Sequence, residues 1–196
     1  IENYSNQKIL VIGDSIIDQY IACDALGMSA EAPVLVVKEL DRKEYIGGAA
    51  VVALHTEALG GDCHFISIVG DDQHGKFLEE TMRGEGLTTD ITKDETRPTT
   101  YKIRYMVDKQ KLFRVSRLSD QFINKKLETT IIDLIKKMAP KMNAIVVSDF
   151  VYGLITPAIL KVIQDVSKKY SLIVIGDVQC STQVGSVTKF KNFSLI

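Results

Sequence analysis

Four short, mostly apolar runs, each ending on an acidic residue, constrain this chain more than any other feature. Residues 9–12 (ILVI) lead into Gly13-Asp14, 63–69 (CHFISIV) into Gly70-Asp71-Asp72, 144–147 (AIVV) into Ser148-Asp149, and 172–175 (LIVI) into Gly176-Asp177. Runs of this length, rich in β-branched residues and lacking polar alternation, read as strands buried on both faces. Between them the spacing is helical. In 45–60, two glycines precede Val51, Leu54, Ala58 and Leu59, which predicts a helix with one apolar stripe, closed at Gly60-Gly61. Residues 76–83 turn Phe77, Leu78 and Met82 inward, and 124–138 place Leu127, Ile131, Leu134, Ile135 and Met138 on one side. Thr156-Pro157 opens a fourth helix as N-cap and first helical residue, with Ile159, Leu160, Ile163 and Val166 on its buried side. Strand–helix alternation of this kind predicts an α/β fold, a mostly parallel sheet covered by helices on both faces.

One segment breaks the pattern. In 99–117, Tyr101, Ile103 and Tyr105 alternate with Lys102 and Arg104, a polar Asp108-Lys109-Gln110 follows, and Leu112, Phe113 and Val115 resume. This predicts an antiparallel hairpin with one wet face. Residues 34–38 (VLVVK) read as a further strand that joins it in a small β appendage, and 193–196 start one more strand of the main sheet.

Composition excludes several classes. The 196 residues carry 25% charged side chains and a formal net charge of −1, which gives no electrostatic reason to expect nucleic acid or an anionic membrane as partner. No apolar run approaches the roughly 18 residues of a spanning helix, and the first residues have no signal-peptide core. Three widely spaced cysteines fit a reducing, cytoplasmic setting better than a disulfide framework, and no metal-ligand spacing links them to the three histidines. The chain starts at Ile1 rather than Met and stops on an apolar run, so it is expected to be a portion of a longer polypeptide.

The candidate chemistry lies at the carboxyl edge of the predicted sheet, where open parallel sheets bind ligands. Each acid there competes with a plain turn-forming role, but four at one edge suit a polyhydroxylated ligand, through hydroxyl donors or Mg²⁺ held through water. Gly47-Gly48 at a predicted helix start lets a ligand approach free backbone N–H groups. Residues 70–76 (GDDQHGK) satisfy the spacing of a P-loop, but Phe77 stands where Mg²⁺ needs a hydroxyl, and two carboxylates would face the phosphates. No glycine fingerprint follows the first strand, which disfavours a nicotinamide-dependent oxidoreductase.

Taken in order, these pieces resemble the ribokinase-like (PfkB) carbohydrate kinases, and within them the heptose-7-phosphate kinase domains of bifunctional ADP-heptose synthesis proteins. The likeness rests on GDSIIDQY at 13–20, SAEAPVLVV at 29–37, GGAAVVA at 47–53, GDDQHG at 70–75, TTYKIR at 99–104, SDFVYG at 148–153 and IGDVQ at 175–179. The resemblance implies a three-layer α/β/α fold with a small β lid, the lid formed by segments about 19–46 and 99–118. It makes residues 1–196 the N-terminal portion of one such domain. It also implies transfer of the ATP γ-phosphoryl, with Mg²⁺, to a hydroxyl of a sugar or sugar phosphate, and a possible homodimer through the lid. By the same resemblance Asp14, Gly47 and Gly48 would bind the sugar, with Asp18, Lys102, Arg104 and Asp149 near it.

The sequence also departs from that pattern. Val51 stands where the family has a sugar-binding asparagine, Tyr152 replaces a lysine, and Val178-Gln179 replaces Pro-Lys. The G-A-G-D motif that carries the catalytic base is absent from the sequence and expected beyond residue 196, as is most of the nucleotide site. Two readings follow: the substrate-binding and lid portion of a sugar kinase, or a non-catalytic sugar-binding or regulatory module derived from one.

Overall fold

A computed structural model describes residues 4–180 and 184–196. Its main sheet has five strands in the order β5-β4-β1-β8-β9, every pair parallel. These are β1 (Lys8–Gly13), β4 (Asp62–Gly70), β5 (Thr88–Asp94), β8 (Ala144–Asp149) and β9 (Ile173–Val178). The two faces of β1 explain its unbroken apolar run. Ile9 and Val11 pack toward α1 (Ala49–Ala58) and α2 (Gln73–Gly84), with Phe65, Leu78 and Met82. Leu10 and Ile12 pack toward α3 (Lys125–Met138) and α4 (Pro157–Tyr170), with Ile131, Ile135, Ile159 and Ile163. The three layers expected from the sequence are therefore present, and Thr156 caps α4 by accepting from the Ile159 N–H at 3.2 Å.

A second sheet, in the order β3-β2-β6-β7, forms the lid: β2 (Ser15–Met28), β3 (Leu35–Gly48), β6 (Tyr101–Val107) and β7 (Gln110–Arg117). The predicted hairpin is β6–β7, turning at Asp108-Lys109, both with positive φ. Tyr101 seats the lid on the body. Its ring stacks on His74 at 3.8 Å and its hydroxyl donates to Glu44 at 2.7 Å. Burial first, then this carboxylate, pushes the phenol well above its usual range.

Three sequence expectations are corrected, and two strands were not foreseen. The strand at 34–38 is the start of a 14-residue strand that runs on to Gly48, so 45–48 are strand, and the helix begins at Ala49, directly after the glycine pair expected at its start. Within α1 the buried residues are Ala49, Ala50, Ala53 and Thr56, not the Val51/Leu54/Ala58/Leu59 stripe; small side chains let the helix lie close on the sheet, and Leu59 is exposed. Strands β2 and β5 went unrecognised. Residues 193–196 form no strand, only a single bridge between Ile175 and Leu195.

Candidate functional site

The chain leaves β1, builds half of the lid, enters α1 and reaches β4 on one side of β1; it later returns to β8 on the other side. The reversal at β1 is the switch point at which open α/β sheets hold ligands. A cleft of about 970 Å³ lies between the lid and this point, lined by lid residues, by Gly47, Gly48, Val51 and Val52 at the α1 start, by Phe150 after β8, and by Gln179 and Cys180 after β9.

Strand register sets the chemistry of the lid wall. Tyr45, Asp18 and Lys102 are cross-strand neighbours, and the next row holds Lys43, Tyr20, Arg104 and Arg114. Residues two apart on a strand share a face, and the residues of both rows line the cleft. Asp18 is paired with Arg104, and Lys43 reaches Asp41 at 3.7 Å. Lys102 is 4% exposed, its ammonium 5.0 Å from the Tyr152 ring centroid and 5.8 Å from that of Phe150. Neither Lys102 nor Arg114 has a carboxylate within ion-pair distance among the described residues. The lining carries four cations (Lys43, Lys102, Arg104, Arg114) against two carboxylates (Asp18, Asp41).

At the α1 start, Gly48 adopts φ 64° as N-cap, and a Cβ there would collide with the Asp14 carbonyl. A Cβ on Gly47 would press on the Asp18 carboxylate. Both glycines line the cleft, and each permits a close internal contact that a Cβ would break.

Five of the seven expected site residues thus meet in the cleft: Asp18, Gly47, Gly48, Lys102 and Arg104. Asp14 and Asp149 are not in its lining. Asp14 is 3% exposed and accepts three backbone N–H groups, from Phe150 at 3.0 Å, Tyr152 at 3.1 Å and Leu154 at 3.2 Å. Burial, with the Asp149 charge adding to it, pushes its carboxyl up to about 6 against the opposing pull of those three bonds. Asp149 pairs with Lys189 and accepts from the Val151 N–H at 2.7 Å. It borders a second cavity of about 620 Å³ on the other side of this loop, with Lys161, Lys189 and Lys191.

Both acids therefore shape the loop 149–154, in which Val151 adopts φ 63° and Gly153 φ 95°. Left-handed backbone at a β-branched residue is strained by about 1–3 kcal/mol and persists only where surrounding bonds over-determine it. Arg97, which the sequence reading did not single out, completes the frame. It binds Asp94 at 2.7 Å, the Tyr152 carbonyl at 2.9 Å and the Gln121 carbonyl at 3.0 Å. Its sequence signal is slight, an arginine three residues after the acid that ends β5.

The remaining edge acids have local tasks. Asp72 caps α2 through the Gly75 N–H and also accepts from the Thr99 N–H and hydroxyl, which together outweigh burial and hold it below the usual carboxylate range. It occupies the helix N-terminus that a P-loop would offer to phosphate. Asp71 reaches Lys93 at 3.3 Å, and Asp177 accepts from Gln179 at 3.0 Å.

A parallel α/β body with a four-stranded lid closing over the switch point defines a ribokinase-like fold. Residues 6–178 match the pfkB family carbohydrate kinases, and the chain belongs to that family. It is 37% identical over 171 residues to the bifunctional protein HldE of Campylobacter jejuni, covering 87% of this chain and 35% of that protein. HldE of Geobacter sulfurreducens is 36% identical over 169 residues, covering 86% and 34%. The chain thus spans about a third of the length of these curated relatives. Among solved structures, Arabidopsis thaliana ribokinase complexed with ribose and ATP superposes with a TM-score of 0.66 at 16% identity, covering 90% of this chain and 55% of that one. The crystal structure of Sa239 gives 0.68 at 16% identity, covering 94% and 57%. The family agrees with the resemblance carried by the ordered motifs.

Proposed function

We propose that the cleft is the acceptor site of an ATP-dependent sugar kinase and that this chain forms the substrate-binding and lid portion of that enzyme, the N-terminal part of one domain. The kinase transfers the γ-phosphoryl of ATP to a sugar hydroxyl. The observation that carries this reading is the meeting of Asp18, Lys102 and Arg104 over the Gly47-Gly48 backbone at the switch point. A carboxylate accepts from hydroxyls, an ammonium and a guanidinium donate to hydroxyl, phosphate or acid oxygens, and bare backbone admits the ring edge. The surplus of cations favours a phosphorylated acceptor, a heptose phosphate among the candidates. Asp14 and Asp149 serve the same site from beneath, holding the loop that presents Phe150.

ATP and Mg²⁺ enter this reading as donor and metal. Among the described residues no group of three or more His, Cys, Asp or Glu is placed to hold a metal ion. The edge acids are engaged by N–H donors and lysines, so these residues do not furnish a magnesium cradle. A cytoplasmic setting, argued from three widely spaced cysteines that form no disulfide framework, belongs to the same proposal.

Calorimetric titration with D-sedoheptulose 7-phosphate and with unphosphorylated D-sedoheptulose tests the site. The phosphorylated sugar is expected to bind at least tenfold tighter, and Lys102→Gln to remove most of that preference. Equal affinities, or a preference untouched by Lys102→Gln, refute the reading. Transfer of labelled γ-phosphoryl in the same samples separates a kinase from a sugar-binding module without turnover.

A further inference from the structure

The two walls of the cleft are chemically opposed. The lid wall carries four cations and two carboxylates, whereas the wall formed where β2 and β3 meet α1 is aliphatic: Ile16, Ile46, Val51 and Val52. Side-chain hydrogen bonding is absent from that second wall, and only the backbone of Gly47 and Gly48 is polar there. A ligand hydroxyl pressed against Val51 or Val52 gives up water and gains no side-chain partner, which is unfavourable. A C–H edge placed there loses nothing.

Val51 sits in the first turn of α1, partly exposed to the cleft while Ala49, Ala50 and Ala53 take the buried face. It is thus free to read the ligand without a structural task in the core. Phe150 adds an aromatic ring to the lining.

We propose that Val51 is a specificity-determining residue and that the ligand is an anionic sugar polarised across its ring: charged toward the lid, and lacking a hydroxyl, as a deoxy or methyl carbon, at the edge that meets Val51. This rests on the acceptor-site reading and narrows it from sugar phosphates in general to those with a deoxygenated edge.

The test is calorimetric titration of the wild-type protein, Val51→Asn and the near-isosteric Val51→Thr. The probes are D-glucose 6-phosphate and its 1-, 2-, 3- and 4-deoxy analogues, and thermal melting serves as the fold control. In the wild type, at least one deoxy analogue is expected to bind as tightly as the parent or tighter. Val51→Asn is expected to shift that ratio toward the parent by about tenfold, because a site built to pair a hydroxyl penalises the analogue that lacks it. Val51→Thr is expected to move it the same way by less. If every deoxy analogue binds the wild type more weakly, or if neither variant changes the ratio, the inference is overturned while the acceptor site stands. If the wild type binds neither these probes nor D-sedoheptulose 7-phosphate, the acceptor-site reading falls and takes this inference with it.

Discussion

Replacing Asp14 separates its two possible tasks. Its carboxyl titrates near 6 in the fold against a reference of 3.8. A difference of about two units corresponds to roughly 3 kcal/mol between the charged and neutral forms. Because the folded value is raised, this contribution is fully present below about pH 4, where both folded and unfolded chains hold the proton. It is lost as pH rises through about 6, where folding must bury a charge. Asp14→Asn keeps one acceptor oxygen and never ionises. Its amide NH2 must face at least one of the three backbone N–H donors, a pH-independent cost of about 1–3 kcal/mol, so the expected signature is the change with pH: relative to the wild type, Asn gains up to about 3 kcal/mol between pH 4 and pH 7. Asp14→Ala removes all three acceptor contacts. Leaving buried N–H groups unpaired costs about 1–3 kcal/mol each, which outweighs the relief of the charge and makes Ala destabilising at both pH values.

Urea denaturation of the three proteins at half-unit steps from pH 4.5 to 8 measures these differences. The carboxylates held below their usual range, Asp72, Asp94 and Glu128, lower stability as pH falls in all three proteins and cancel in the comparison. A constant offset between Asn and wild type across that range would refute the burial argument. A loss of sugar-phosphate affinity in Asp14→Asn, with its loop intact, would instead return Asp14 to direct contact with ligand.

Three further outcomes follow from particular contacts. Arg97→Ala removes the ion-pair partner of the Asp94 carboxylate, 1% exposed, leaving it only its two bonds from Thr96, and takes the guanidinium from two carbonyls. It should lower unfolding free energy by about 3–5 kcal/mol in the same denaturation assay. Ser148→Ala removes a buried hydroxyl that has no hydrogen-bond partner among the described residues, so stability should hold or rise by up to about 1 kcal/mol in thermal melting. The lid exposes Leu26, Met28, Leu35, Leu40, Phe113 and Val115. If it pairs with a second lid, sedimentation velocity should give a dimer that Phe113→Lys dissociates, and a monomer at all concentrations would reject that pairing.

The parts of the fold legible in the sequence are those whose physics is local. Strands β1, β4, β8 and β9 announce themselves because a parallel strand buried on both faces must be apolar at every position. Strand β5 lies at the sheet edge, where Thr88, Asp90 and Thr92 suffice, and so carries no such signal. The lid strands are hidden for another reason. In β3 the run from Lys38 to Glu44 is nearly all charged because it is half-wet and faces a cleft, and charge of that density reads as loop. Long strands built of such residues are held by pairing with β2 over nearly their whole length, a non-local condition that no window of sequence contains.

The site divides along the same line. Asp18, Lys102 and Arg104 belong to strands whose alternation is visible, so their shared face can be inferred once the strands are paired. Asp14 differs, because what determines its role lies 136 to 140 residues away, in N–H groups of the loop after β8. A strand-end aspartate looks the same whether it meets a ligand or a returning loop. Here the loop takes up both carboxylate oxygens, and the Asp149 charge below helps to raise the carboxyl toward neutrality. The strained backbone at Val151 places Phe150 on the first cavity and Val151 and Gly153 on the second. In this structure the acid with the strongest sequence claim to substrate contact holds the loop that borders both cavities. Its removal should alter ligand affinity only to the extent that the loop itself moves, which is why stability and affinity must be measured on the same variants.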